Sequence, residues 1–219
     1  MLLAPIRHAV TRRRVLRARF ELARQREQLE ESCIPSYLHP NPAAAAVAWW
    51  RLFAAARLHR TEAPAGPVLD FGAACGELRP LLPASLAYEF VEADDGLAAA
   101  LLALHSGATR RVLENLPRAH YAAVFALDSL EHNRDVAPLL DRLVAALAPG
   151  GVLILCGPTE NRLYRLGRRL AGFSGHYHVT TIRDIEAIAA TRLRLRRARL
   201  APPGVPLFSL TVWTHPEPV

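Results

Sequence analysis

Residues 67–80, PVLDFGAACGELRP, impose a change of structure within a few positions. After Pro67 comes an apolar run too short for a helix, Val68, Leu69 and Phe71, with one acid, Asp70, inside it. Gly72 and Gly76 then let the chain turn with positive φ and let backbone approach a ligand with no Cβ between them. A strand ending in an acid and a glycine-spaced turn suits the carboxyl edge of a parallel sheet. Ligands bind there, near the point where strand order reverses.

The rest of the chain supplies such a sheet. Strand-like runs occur at 68–71, 88–92, 110–113, 121–127, 152–156, 193–199 and 207–213. Between them the pattern predicts a short helical or irregular stretch over 78–86, limited by Pro80 and Pro83, and helices over 96–105, 136–147 and 182–191. Val136, Leu139, Leu140, Leu143, Val144 and Leu147 fall on one face of a 3.6-residue period, and Pro149, Gly150 and Gly151 stop it. Alternating strands and helices with continuously apolar strands predict an α/β fold: a doubly wound, seven-stranded, mostly parallel sheet covered on both faces.

Ahead of this lies a helical N-terminal extension. Residues 8–31 read as a helix crowded with arginine, with Leu16, Phe20 and Ala23 as a thin apolar stripe. CIPSYLHPNP interrupts it with three prolines, and 43–59 is a second, more apolar helix. TEAPAGP is a linker, so residues 1–65 are expected to form an extension or cap and residues 66–219 the main domain.

A chain of 219 residues, 51% hydrophobic, can bury one substantial core. Its net charge is +7, and every one of its basic residues other than histidine is arginine. That balance permits attraction to phosphates or to an anionic membrane surface. Against nucleic acid, only 7% of residues are aromatic and the arginines lack aromatic interleaving. Cys33, Cys75 and Cys156 form no CxxC pair, which fits a reduced, cytoplasmic protein. The N-terminus has no long apolar segment of a signal peptide, and no apolar run approaches the roughly 20 residues that span a bilayer.

The glycine spacing does not fit the GxGxxG of dinucleotide folds, because Ala73 and Ala74 stand between the glycines. LDFGAACG instead resembles the D/E-x-G-x-G-x-G motif of class I S-adenosylmethionine-dependent methyltransferases, with Ala74 at the middle glycine position. LAPGG before 152–156 resembles the family's L-x-P-G-G segment, and the last two strands resemble its closing hairpin. The resemblance spans roughly residues 66–213. It implies that Asp70, Gly72, Ala74 and Gly76 surround the methionine end of the cofactor, that Glu92 holds the ribose, and that Ala126 and Asp128 lie near the sulfonium. An alanine at 74 adds one methyl group and is expected to be tolerated if φ stays negative.

ALDSLEHNRD resembles the E-x-L-E-H segment of the ubiquinone-biosynthesis O-methyltransferases, and GHYHV supplies the histidines those relatives carry after strand five. Carried over, Glu131, His132, His176 and His178 are the catalytic candidates. Asp128, Glu131, His132 and His178, or His176 in its place, would be ligands for a divalent cation that activates a hydroxyl. Without a metal, His176 or His178 is a general base. Tyr37, His39 and Tyr177 are candidates for the acceptor site. Residues 159–173, where leucines alternate with arginines, resemble an amphipathic insertion that meets a membrane. The implied activity is methyl transfer to an oxygen of a small or lipid-like acceptor, with peripheral membrane contact. RNA 2′-O-methylation and a non-catalytic, cofactor-binding docking protein are the alternatives; turnover separates the last from the others.

Overall fold

The computed structural model describes residues 3–21, 29, 32–172 and 179–216. The apolar run after Pro67 forms β1 (Val68–Phe71), buried along its whole length. It is followed by β2 (Tyr88–Val91), β3 (Ala108–Arg110), β4 (Tyr121–Leu127), β5 (Leu147–Pro158), β6 (Arg194–Ala201) and β7 (Phe208–Thr214). Among the described residues these make one seven-stranded sheet in the order β3-β2-β1-β4-β5-β7-β6. The first five strands run parallel, and β7 is antiparallel to both β5 and β6. Chain order runs outward from β1 through β2 to β3 on one side and from β4 to β5 on the other, with β7 inserted between β5 and β6, so strand order reverses between β1 and β4.

The helices are α1 (Leu3–Arg19), α2 (Ile34–Tyr37), α3 (Pro42–Glu62), α4 (Asp95–Leu104), α5 (Val136–Ala146), α6 (Arg162–Leu170) and α7 (Ile182–Ala190). Leu52 and Ala55 of α3 and Ala98 and Leu101 of α4 pack in one apolar cluster with Val68, Phe125 and Val152. Leu140 and Leu143 of α5 and Ile185 of α7 pack in a second with Leu69, Val124 and Leu153. Successive side chains of a strand point to opposite faces, so the two clusters are the two sides of a doubly wound sheet. The N-terminal segment joins the first cluster, with Leu16, Tyr37 and Trp49 all buried in it.

Local chemistry sets the helix starts. The Asn41 side chain accepts from Ala43 N at 2.9 Å, with Pro42 at the first helical position of α3, where its missing donor costs nothing. Asp94 caps α4 through Leu97 N at 2.8 Å. Thr181 and Asp184 form a reciprocal capping box on α7.

Four boundaries differ from the sequence pattern. The first helix starts at Leu3 and its last helical residue is Arg19. Pro5 sits in its first turn, where no intrahelical donor is needed, and Phe20 leaves the helix for the core. Residues 22–28, including Ala23, lie outside the described residues. The proline-rich break contains one short helix, α2, with Pro35 in its first turn. The third strand lies two residues earlier than RRVL, and Val112, which drew the expectation forward, is 59% exposed. The fifth strand begins at Leu147, ahead of the prolyl-glycine turn, because Leu147 already pairs with Tyr121. Among the described residues no helix is long and apolar enough to cross a membrane.

Candidate functional site

The carboxyl ends of β1 and β4 meet at the reversal point. Asp70 is buried and accepts a hydrogen bond from the Tyr88 hydroxyl at 2.6 Å. Burial pushes its carboxyl up to about 7, with the Tyr88 hydrogen bond opposing and the Glu92 charge adding to the shift. Beyond Phe71, Gly72 N donates to Val91 O at 2.9 Å and Gly76 N to Ala73 O at 2.8 Å. Gly72, Ala74 and Gly76 all have positive φ, 69°, 48° and 75°. Ala74 therefore lies outside the negative-φ range on which tolerance of an alanine there is expected. The turn requires a left-handed residue there, and its amide is held by Glu92 Oε2 at 2.7 Å. The other Glu92 oxygen accepts from Asp94 N at 3.0 Å.

The turn is closely enclosed. A Cβ at Gly72 would collide with the Ser129 Cβ, and one at Gly76 would lie 2.7 Å from Leu101 Cγ. Glu77, the next residue, forms a two-point ion pair with Arg12 of α1, at 2.9 and 2.5 Å. The first helix is thus clamped onto the turn. Left-handed residues at alternate positions make a concave surface on which backbone lies open to close approach, while the amides of Gly72, Ala73, Ala74 and Gly76 are already bonded within the protein.

At the end of β4, Ala126 is buried and in register with Phe71. Asp128 has φ 51° and donates its N–H to Cys156 O at 2.9 Å. Its carboxylate is paired with Arg51 of α3, a side chain only 6% exposed. The Arg51 guanidinium carbon lies 4.7 Å from the centre of the Phe208 ring. Ser129 Oγ and Glu131 Oε1 are buried and have no hydrogen-bond partner among the described residues. Burial first, and the Asp128 charge second, hold the Glu131 carboxyl well above the usual range. The Glu131 carbonyl accepts from Val179 N at 2.8 Å and Thr180 N at 3.1 Å. His132 follows, half-buried, at the end of a one-turn 3₁₀ helix. His176, Tyr177 and His178 lie outside the described residues.

Of the cation ligands that the resemblance implies, Asp128, Glu131 and His132 are described, whereas His176 and His178 lie outside the described residues. Among the described residues no three His, Cys, Asp or Glu side chains come together as a metal-holding group. Asp128 is engaged by a guanidinium instead.

Tyr37 is buried, its ring centre 4.9 Å from that of Trp49. Burial raises its hydroxyl well above the ordinary range, and it is close enough to Cys33, Arg51 and Asp128 to feel their charges. His39 works as a staple: Nε2 lies 2.7 Å from Ala171 O, Nδ1 accepts from Asn41 N at 3.0 Å, and its carbonyl accepts from Arg13 at 2.9 Å. Across from Tyr37, the Tyr164 ring stands edge-on to Phe208 at 5.5 Å. A groove of about 750 Å³ among Arg118, Val144, Arg196 and His215 opens at the amino ends of β4 and β5, away from all these groups.

Sequence reasoning missed Arg51 and Ser129. Arg51 did carry a signal: it is the one charged residue in the run AAAAVAWWRLFAAA, and a charge on an apolar helix needs a buried partner.

The arrangement has known counterparts. A family model described as a methyltransferase domain matches residues 44–192. Magnesium protoporphyrin IX methyltransferase from Synechocystis PCC 6803, solved with bound SAH, superposes with a TM-score of 0.61 at 17% identity, over 80% of this chain and 88% of that one. The N-methyltransferase NodS from Bradyrhizobium japonicum WM9, in complex with S-adenosyl-L-homocysteine, superposes with a TM-score of 0.63 at 17% identity, over 84% of this chain and 92% of that one. At these identities the likeness is one of fold. Comparison with curated protein sequences finds no match.

Proposed function

The chain belongs to the methyltransferase-domain family, and from that premise we propose that it transfers a methyl group from S-adenosylmethionine to an oxygen of a small or lipid-like acceptor. The observation that carries the cofactor half is the turn after β1, with left-handed residues at 72, 74 and 76 closed against Ser129. Asp70, Gly72, Ala74 and Gly76 enclose the methionine end in this reading, Glu92 meets the ribose, and Ala126 and Asp128 border the reacting centre. The bound cofactor supplies an electrophilic methyl group on a positively charged sulfur.

Oxygen as the nucleophile is supported by Glu131. A carboxyl held toward its neutral form is a strong base once ionised, suited to taking a proton from a hydroxyl. His132 adjoins it, and Tyr37 and Tyr164 flank Arg51 as walls of an acceptor pocket. Residues 1–65 act as the cap, since α1 and α3 bring Arg12 and Arg51 to the two strand ends. Catalysis by this chain is then mainly orientation: a closed cleft holds the acceptor oxygen in line and excludes water.

A lipid-like acceptor is supported by α6. Leu163, Leu166 and Leu170 are exposed, and Arg162, Arg165 and Arg169 flank them. Apolar side chains bordered by arginine suit the surface of an anionic bilayer. Sedimentation with anionic vesicles tests this: a Leu166→Glu, Leu170→Glu variant is expected to lose binding, and unchanged binding removes the membrane from the reading.

Calorimetric titration with S-adenosylhomocysteine tests the cofactor half. Micromolar binding is expected, and a folded protein that does not bind overturns it. Glu131→Gln is expected to keep that binding and lose methyl transfer.

A further inference from the structure

Arg51 sits where a cation is costly. Its neighbours on the buried side of the helix, Ala48, Leu52 and Ala55, are apolar, and isolating such a charge from water costs several kcal/mol. The ion pair with Asp128 and the stacking of the guanidinium over Phe208 offset this, beside a long hydrogen bond from Nε to Ala48 O at 3.4 Å. The second holds the side chain whether or not the first is made. The space around the guanidinium is bounded by aromatic rings, since Tyr164 packs on Phe208 and Tyr37 lies close by. Glu131 is nearby but kept toward its neutral form by burial. Asp128 is the acid that Arg51 pairs with at this end of the sheet.

We propose that Arg51 is a movable counter-charge that sets acceptor specificity: it neutralises Asp128 in the free protein, and turns to an oxyanion on the acceptor when a cationic cofactor takes its place. The inference rests on the cofactor reading above and goes beyond it by naming the acceptor class, a molecule bearing a carboxylate or phosphate group beside its nucleophile.

The argument is one of charge. Asp128 and Arg51 cancel in the free protein. A second cation beside Asp128 leaves the buried site one positive charge in excess, which a low-dielectric surrounding disfavours. Arginine can answer this without leaving its ring, because its fork presents several N–H donors and binds an oxyanion in two-point fashion. Cationic cofactor and anionic acceptor thus favour each other's binding through Arg51, and the coupling is reciprocal. The demethylated product lacks that charge and gives no such coupling.

Binding calorimetry on the full chain tests this with two ligands. Sinefungin carries a positive amine where the cofactor has its methyl-bearing sulfur, and S-adenosylhomocysteine is neutral there. In Arg51→Met, affinity for sinefungin is expected to rise about tenfold relative to S-adenosylhomocysteine, the scale of one close charge pair. Arg51→Lys, which keeps the charge, is expected to show the wild-type ratio; it guards against a variant that merely misfolds. In the wild type at fixed ionic strength, benzoate or phenyl phosphate is expected to tighten sinefungin several-fold and leave S-adenosylhomocysteine unchanged, and Arg51→Met to lose the effect. A response to benzoate alone assigns a carboxylate, and to phenyl phosphate alone a phosphate. No response to either probe overturns the acceptor class, and equal weakening of both ligands in Arg51→Met overturns the counter-charge. If the wild type binds neither ligand, the cofactor reading fails and this inference with it.

Discussion

At the end of β1, five consecutive residues build the turn from backbone: Gly72 to Gly76, three of them left-handed, with one carboxylate from Glu92 holding the middle amide. At the end of β4, a few ångströms away, side chains do the building. Arg51 reaches Asp128 across a separation of 77 positions in the chain, and Glu131 is buried with one carboxyl oxygen unpartnered among the described residues. The first end is rigid because φ and close contact leave few alternatives. The second is held by charges that can exchange partners. The pair teaches how one cleft can bind a constant cofactor on an inflexible surface and a variable acceptor on an adjustable one.

The difference is broken most severely at Gly72. Gly72→Val places a β-branched residue at φ 69° and drives its Cβ into Ser129. Strain and overpacking together are expected to cost about 3–5 kcal/mol. Affinity for S-adenosylhomocysteine should fall by at least about 100-fold, since 1.4 kcal/mol is tenfold. Chemical denaturation and calorimetry of the same sample check both. Unchanged binding would mean that the turn is not the cofactor cradle.

At the other end the expected loss is similar but repairable. Arg51→Ala or Asp128→Ala leaves a largely buried charge without its partner, at a cost of about 3–5 kcal/mol. A double change to apolar residues of similar volume, Arg51→Met with Asp128→Leu, should recover most of it, because no charge is then stranded. Urea midpoints of the two single variants and the double variant measure this. A double variant as unstable as the sum of the singles would show that the pair acts through packing rather than charge.

This contrast also explains what could be read from the sequence. β1 and β4 match their apolar runs residue for residue, and the turn was legible because its signal is local, two glycines and an acid within seven positions. Asp128 and Glu131 were legible as acids after a strand, but not their environment. The partner of Asp128 lies in a helix whose position follows from packing, not from any pattern near Asp128. RRVL misled for a related reason: Arg110 and Arg111 serve as tethers to Glu92 O and to the Glu89 carboxylate, at 2.7 and 2.6 Å. The strand ends at Arg110, and Val112 faces solvent. The left-handed conformation of Ala74 gave no sign, since alanine rarely adopts it.

Acidity sharpens the comparison further. Both ends carry a buried acid whose proton is held more tightly in the folded state, Asp70 from an ordinary 3.8 up to about 7 and Glu131 well above 4.5. Below the ordinary value both states are protonated and nothing is lost. As pH rises past it the unfolded chain releases the proton first, so stability falls until the folded group ionises too. Asp70→Asn should therefore flatten the stability profile between about pH 4 and 7, and Glu131→Gln should flatten it over a range that continues higher. Urea midpoints across pH test the sign; a wild-type protein whose contribution from these acids rises with pH would contradict their burial.

The smallest effect is expected at Ala74, where the rigid end departs from its own pattern. An alanine at φ 48° bears a left-handed penalty of roughly 1–2 kcal/mol. Glycine would remove it, but would return roughly 0.5–1 kcal/mol of chain entropy to the unfolded state. Ala74→Gly should thus stabilise by at most about 1 kcal/mol. Its amide would still reach Glu92, so affinity for S-adenosylhomocysteine should stay within about twofold, the small change expected when the donor itself is kept. A large loss of affinity on adding glycine would mean that the alanine methyl touches the cofactor. The turn would then recognise its ligand with a side chain as well as with backbone, and the division between the two ends would be less clean than their construction implies.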